Sequence, residues 1–322
     1  IVAKVGELLA LCDRLEAQQA DAESAHAQLV RALLNSLTHA VDAEDFASSW
    51  QCLAKHFHTL FITESSLDAL KQTLLQLAVM GKLVPQDPND EPASELLERI
   101  AEEKAQLVEQ KVIRKGKPLP HIEQGEIQFE LPIGWEWIRL GQTGDWGAGA
   151  TPARGNSSYY GGQIPWSKSG ELVADFISDA EETVTELALK ECSLRCNKPG
   201  DVLIAMYGAT IGKTAILSVG GTTNQAVCAC TPFTDVFNRY LLLTLKALKS
   251  SFIGQGAGGA QPNISRQKII ATVIALPPLA EQHRIVAKID HLMALCDQLK
   301  TRLIQARQFN EELATALIKQ AV

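Results

Sequence analysis

At 322 residues the chain is longer than one hydrophobic core usually organises, which predicts two domains, or one domain with an extended element. With 46% hydrophobic and 21% charged residues it can bury sizeable cores, and this excludes a disordered, collagenous or mucin-like chain. The formal charge of −7 is uneven: residues 1–129 carry net −8, residues 130–284 net zero and residues 285–322 net +1, so the acidity belongs to the first third and the middle retains room for a local basic face.

No apolar run approaches the roughly 18 residues that span a bilayer, and the start IVAKVGELLA lacks a basic-then-apolar profile, so a cytoplasmic location and no membrane partner are expected. Seven cysteines without paired CxxC spacing suit reduced thiols, and no metal is expected. The nearest mixed cluster, Cys52, His56 and His58, does not place all three groups on one helix face.

The chain opens and closes on a repeat. IVAKVGELLALCDRLEAQ at 1–18 matches IVAKIDHLMALCDQLKTR at 285–302 at 10 of 18 positions. In the second copy Ile285, Ile289, Leu292, Cys296, Leu299, Leu303, Ala306, Asn310, Leu313 and Leu317 alternate four and three apart, a heptad seam with Asn310 as its polar register residue. A rod of about 38 residues at about 1.5 Å each would measure roughly 57 Å and act as a spacer.

After the first copy, Phe46, Trp50, Leu53, Phe57 and Phe61 predict one helical stripe, and Leu67, Leu70, Leu74 and Leu77 another, closed by Gly81. PQDPNDEP at 85–92 breaks the chain before a charged helix from about Pro92 to Lys111, and residues 113–130 read as a linker. From Leu131 glycines and aromatics rise, and short apolar runs such as DVLIAMY (201–207) and TAILSV (214–219) predict mixed strands up to about Pro278.

Three catalytic motifs fail on spacing or context. GATIGKT at 208–214 has three residues between its glycines where a phosphate-binding loop needs four, so a tight turn between strands is expected. FIGQG at 252–256 resembles an S-adenosylmethionine loop, but the only Pro-Pro is LPPL at 276–279, which is not a base-flipping loop; GQGAGGAQPN (254–263) reads as a flexible loop instead. Asp90 with Glu102, Glu103 and Lys104 has a nuclease-like composition, but the last three lie in a helical pattern and read as a solvated face.

Recognition chemistry remains. Residues 151–169 (TPARGNSSYYGGQIPWSKS), 222–226 (TTNQA) and 258–268 (GGAQPNISRQK) mix cations and amides with glycines that permit close approach. Arg and Lys suit phosphates and guanine edges, and Asn and Gln amides pair with adenine. The candidate DNA contacts are Thr151, Arg154, Tyr159, Lys168, Ser169, Lys213, Asn224, Gln225, Gln261, Asn263 and Arg266. Trp166 and Tyr160 are expected in the core, and Ser265 is expected to cap a helix starting near Arg266.

These residues carry a resemblance. LPIGWEWIRLG (131–141), TPARGNSSYYGGQIPW, KPGDVLIAMYGATIGKTAIL (198–217), TTNQAVCA, GGAQPNIS, LPPLAEQHRIVAKID (276–290) and VMGKLVPQDPNDEPASELLERI (79–100) together resemble the carboxyl-terminal half of a type I restriction-modification specificity subunit. The resemblance implies a helical central conserved region over 1–112, a linker over 113–130, an α/β target recognition domain with a twisted mixed sheet over 131–282, and a distal conserved helix over 283–322. That helix would pack on 1–38, so that long antiparallel coiled-coil-forming helices flank the α/β domain; Ile285, Ile289, Leu292, Leu299, Asn310 and Leu313 would make the packing. It implies a non-catalytic subunit that reads one half of a bipartite double-stranded DNA site beside methyltransferase and motor-nuclease subunits, with S-adenosylmethionine on the methyltransferase and no cofactor on this chain.

The distal repeat is introduced by PPLAEQHR (277–284) and the first copy is not, so the chain is expected to be the second half of a longer subunit. Whether an amino-terminal half or a second copy of the chain completes it stays open. The rival readings are an autonomous DNA adenine methyltransferase or nuclease, and a coiled-coil protein-interaction adaptor.

Overall fold

The structure, a computed structural model, describes residues 2–40, 43–256 and 262–321. Helices α1 (Val2–Thr38), α2 (Ala43–Lys55), α3 (Phe57–Leu60), α4 (Glu64–Val79) and α5 (Ala93–Glu109) precede the strands. Strands β1 (Glu136–Arg139), β2 (Gly144–Ala148), β3 (Tyr160–Ser167), β4 (Phe176–Ile177) and β5 (Thr183–Val184) follow, then α6 (Glu186–Glu191), β6 (Val202–Ala205), β7 (Thr214–Leu217), β8 (Thr222–Thr223) and β9 (Val227–Pro232). Next come α7 (Asn238–Ala247), α8 (Lys249–Gly256), α9 (Arg266–Ala271), β10 (Val273–Leu276) and α10 (Leu279–Ala321). No helix among the described residues is long and apolar enough to cross a membrane. The chain divides into two compact units, Ile1–Leu77 with Asp290–Val322, and Ala78–Ile289.

In the first unit the leucine stripe of α4 is buried at Leu67, Leu70, Leu74 and Leu77. The helix starts at a reciprocal cap, in which the Thr63 hydroxyl accepts from the Ser66 N–H and the Ser66 hydroxyl accepts from the Thr63 N–H. Asp297 of α10 pairs with Lys71, and Lys300 reaches Asp68 at 3.1 Å and Glu64 at 3.4 Å. These ion pairs tie α10 to α4. Of the seam residues here, Leu292 and Leu299 are half-buried, whereas Asn310 and Leu313 are exposed. Cys296 is buried and its repeat counterpart Cys12 is exposed, and α1 buries only Val30, Leu34 and Leu37 near its end. The stripe expected over 46–61 is broken: α2 stops at Lys55 and His56 leaves helical geometry at φ −105° and ψ 13°. Two local aromatic pairs replace a continuous stripe, Phe46 on Trp50 and Phe57 on Phe61, and Trp50 is left 42% exposed.

The second unit is built on a five-stranded mixed sheet in the order β2-β9-β6-β7-β4, antiparallel except for the parallel β7–β4 edge. On one face Leu203, Ala205, Ala215, Leu217, Val227 and Ala229 form a core at the period-2 spacing of strands. The other face is buried too, at Val202, Ile204, Ile216, Cys228 and Cys230, and for that reason these strands read as continuous apolar runs rather than alternating ones. A three-stranded sheet β5-β3-β8 and the antiparallel pair β1-β10 complete the strands. Trp166 is 1% exposed and Tyr160 is half-buried beside it, as expected of core aromatics.

Gly81 follows α4 at φ +70°, the left-handed geometry that ends helices. The segment that reads as a linker is docked: buried Arg139 donates to Glu126 through both terminal nitrogens at 2.6 Å and to the carbonyls of Pro120, His121 and Ala271. Residues 254–256, expected in a loop, are helical in α8, because Phe252 is fully buried and Gly256 packs against Ile211 and Asn263. Residues 257–261 of that expected loop lie outside the described residues. Glu102, Glu103 and Lys104 lie on α5, and Asp90 pairs with Arg284, so the nuclease-like set does not assemble.

Candidate nucleic-acid interface

The register of the five-stranded sheet places several loops at one end. Ala148 at the end of β2 faces Cys228 near the start of β9, Ala205 at the end of β6 faces Val227, and Ile204 faces Thr214 at the start of β7. The segments after β2, between β6 and β7, and before β9 therefore all leave from this end. They hold Thr151, Arg154, Lys213, Asn224 and Gln225.

Backbone bonds tie the segments together. Gly149 donates to Val227, Ala150 to Thr223, Asn224 to Ser167 and Met206 to Ala226. Residues 262–264 join them, since Gly208 donates to Pro262, Ile264 donates to Met206, and Asn263 bridges Tyr207. The GATIGKT segment is the tight turn expected between antiparallel strands, with Gly208 at φ +61° and Gly212 at φ +76°. Ser265 caps α9 by accepting from the Lys268 N–H at 3.2 Å, as its position predicts.

The candidate side chains fall into two groups. In the first, the Thr151 hydroxyl donates to Gln225, and the Asn224 side chain accepts from the Ala226 N–H at 3.1 Å, an Asx turn that fixes its backbone. Arg154 pairs with Glu182 and lies 4.8 Å from the Tyr160 ring centroid and 4.9 Å from that of Trp166. Lys168 reaches Glu182 at 2.7 Å and Glu181 at 3.2 Å. The hydrogen bonds from Arg154 and then Lys168 hold the Glu182 carboxyl at about 2, well below its ordinary range. Tyr159 points elsewhere: its hydroxyl donates to Glu191 at 2.8 Å, which raises its titration. Ser169 is half-buried and opens a short 3-10 turn.

In the second group, Asn263 and Arg266 are exposed, and the Arg266 guanidinium donates to the Trp146 carbonyl at 3.1 Å. Lys213 is half-buried and has no ion-pair partner among the described residues. Gln261 lies outside the described residues. The sequence did not single out Tyr207, which is 42% exposed on the same loop, or Lys249, which packs against Gly212. For Tyr207 the contrast is informative: the hydroxyls of Tyr159, Tyr160 and Tyr240 are each bonded within the fold.

Beneath the loops a polar knot braces β2 against β9. Arg195 donates to Asp145 at 2.6 Å, to Thr231 at 2.9 Å and to Asn197 at 3.1 Å, and the Thr231 hydroxyl donates to Asp201 at 2.9 Å. Burial raises the Asp201 carboxyl.

Comparison with known proteins gives a consistent result. Residues 132–306 match the family model described as "Type I restriction modification DNA specificity domain". The chain is 40% identical to the type I restriction enzyme EcoAI specificity subunit of Escherichia coli, over 100% of this chain and 56% of that protein. It is 37% identical to the EcoEI specificity subunit of the same organism, with the same coverage. The chain thus spans about half the length of the curated relatives it matches. A chain from a solved type I R-M system, described in terms of complex assembly and conformational transition, superposes with a TM-score of 0.51 at 24% identity, over 71% of this chain and 56% of that one, a likeness of fold.

Proposed function

The chain belongs to the type I restriction modification DNA specificity domain family, and we propose that it reads one half of a bipartite double-stranded DNA site. The observation that carries this reading is the convergence of the segments after β2, between β6 and β7, before β9 and at 262–266 on one end of the five-stranded sheet. They present amides and cations of the kind that pair with base edges and phosphates. Thr151, Arg154, Lys168, Lys213, Asn224, Gln225, Asn263 and Arg266 form the proposed contact set, with Gln261 as its member outside the described residues. Tyr159 and Ser169 stand at its margin.

In this reading the chain performs no chemistry. Methyltransferase subunits with S-adenosylmethionine and motor-nuclease subunits act on the DNA that it selects. The exposed first half of α1 and the distal part of the seam, at Asn310 and Leu313, are helix-pairing surfaces, filled by an amino-terminal half or by a second copy.

The test is to co-express the chain with its cognate methyltransferase subunit in an unmodified bacterial host and map methylated adenines. A two-part motif supports the reading, and it is palindromic if two copies pair. A stable complex that methylates at no defined sequence refutes it.

A further inference from the structure

We propose that the cleft between α5 and residues 115–122 holds the sugar–phosphate backbone of the DNA, outside the bases that the loop cluster reads. This inference rests on the DNA-recognition reading and extends it to a segment that the sequence presents as a linker.

The cleft has a volume of about 810 Å³. One wall is the α5 face made by Ala101, Lys104, Ala105 and Val108, which recur at helical spacing. The opposite wall is the segment carrying Lys115, Lys117, Leu119 and Ile122, and Arg139 and Gln142 close it. No Asp or Glu lines it. The charge of Arg139 is balanced by its two bonds to Glu126. Lys104, Lys115 and Lys117 have no hydrogen-bond or ion-pair partner among the described residues. Three uncompensated cations thus face one concavity.

Several other cations of the unit are spent on carboxylates, Arg154 and Lys168 on Glu182, Arg99 on Glu91 and Asp235, and Lys246 on Asp175. Affinity for a polyphosphate comes from unpaired cations that displace condensed counterions. The cleft gathers three of them, in addition to Lys213 and Arg266 at the loop end of the sheet. The apolar side chains of Leu119 and Ile122 suit the faces of deoxyribose rings.

Gln142 lies just before β2, and the loop cluster leaves the far end of that five-residue strand, about 16 Å away at about 3.3 Å per residue.

The experiment measures the affinity of the complex with the methyltransferase subunit for a duplex bearing its methylated site, as a function of salt concentration. The wild type is compared with Lys104→Gln/Lys115→Gln/Lys117→Gln and with the wholly surface pair Lys115→Gln/Lys117→Gln. The logarithmic salt slope is expected to become shallower by about 2.7 in the triple variant and about 1.8 in the pair, at about 0.9 per phosphate contact, with the methylated motif unchanged.

An unchanged slope in both variants overturns the inference while leaving DNA recognition intact. Loss of the methyltransferase subunit from the complex also overturns it, and assigns the cleft to an acidic protein surface. A wild-type complex without sequence-dependent binding brings down the recognition reading, and this inference with it.

Discussion

The Arg154 guanidinium is ion-paired to Glu182 across 28 residues of sequence while lying within 5 Å of the ring centroids of Tyr160 and Trp166. An arginine suited to bind phosphate is thus already neutralised, and Lys168 shares the same carboxylate. Glu182→Gln is expected to release both cations, raising affinity for all duplexes alike and steepening the salt slope by up to about 0.9 per freed charge. Fluorescence anisotropy on cognate and scrambled duplexes distinguishes this from a change of site choice. Because the Glu182 carboxyl is held at about 2 against 4.5 in an unfolded chain, the stability that it contributes is present above the unfolded value and lost as pH falls through about 2. The pair is therefore intact between about pH 5 and 8, and affinity in that window should show no titration from it.

Such pairings explain which parts of the site were legible in the sequence. The leucine stripe of α4, the Gly81 terminator, the strand runs at 201–207 and 214–219 and the Ser265 cap are local patterns, and each is visible within a few residues. The partners of Arg154, Arg139 and Arg195 lie 28, 13 and 50 positions away, so nothing local distinguishes a free cation from a spent one. The docked segment 113–130 reads as a linker because its anchor, Arg139, lies beyond it in β1. Residues 254–256 read as a loop because of their glycines, whereas burial of neighbouring Phe252 carries the helix through them in three dimensions.

Gly81 offers a test of the backbone. Its φ of +70° is strained for any residue with a Cβ, and a Cβ there would press on the Pro132 ring. Gly81→Ala is expected to destabilise the protein by about 1–3 kcal/mol, read as a lower denaturation midpoint with an unchanged denaturant slope. Gly155→Ala, where nothing lies within 4 Å of a Cβ and φ is not left-handed, is the control expected to cost little.

Glu281 is 1% exposed and accepts from the Trp135 indole at 2.9 Å and from the Gln86 amide at 3.3 Å. Burial raises its carboxyl above the ordinary 4.5, and its two hydrogen bonds and Arg284 oppose that rise only in part. A raised acid favours the folded protein while protonated, so its contribution is fully present below about 4.5 and declines as pH rises through the higher folded value. Stability measured by denaturant across that window should fall with pH in the wild type relative to Glu281→Gln, which cannot ionise. Parallel pH profiles for the two proteins would refute the assignment. Trp135→Phe removes a donor from a buried carboxylate and is expected to cost about 1–3 kcal/mol at neutral pH.

The exposed amides and the unpaired cation of the loop cluster make opposite predictions about specificity. Asn263 and Gln225 are exposed amides on anchored backbone, Asn263 through its bridge to Tyr207 and Gln225 beside the Asx turn of Asn224. An amide that pairs with one adenine contributes only when that base is present, so Asn263→Ala and Gln225→Ala should each relax one position of the motif, at a cost of about 1–3 kcal/mol on the cognate duplex and little on the others. Lys213 is a cation without an ion-pair partner among the described residues, on the tight turn between β6 and β7, and a phosphate contact there is blind to sequence. Lys213→Gln should weaken every duplex alike and make the salt slope shallower by about 0.9. Methylated-adenine mapping and salt titration on the same variants separate the two roles. If Asn263→Ala and Lys213→Gln give the same signature, the loop end of the sheet does not divide its work between bases and backbone.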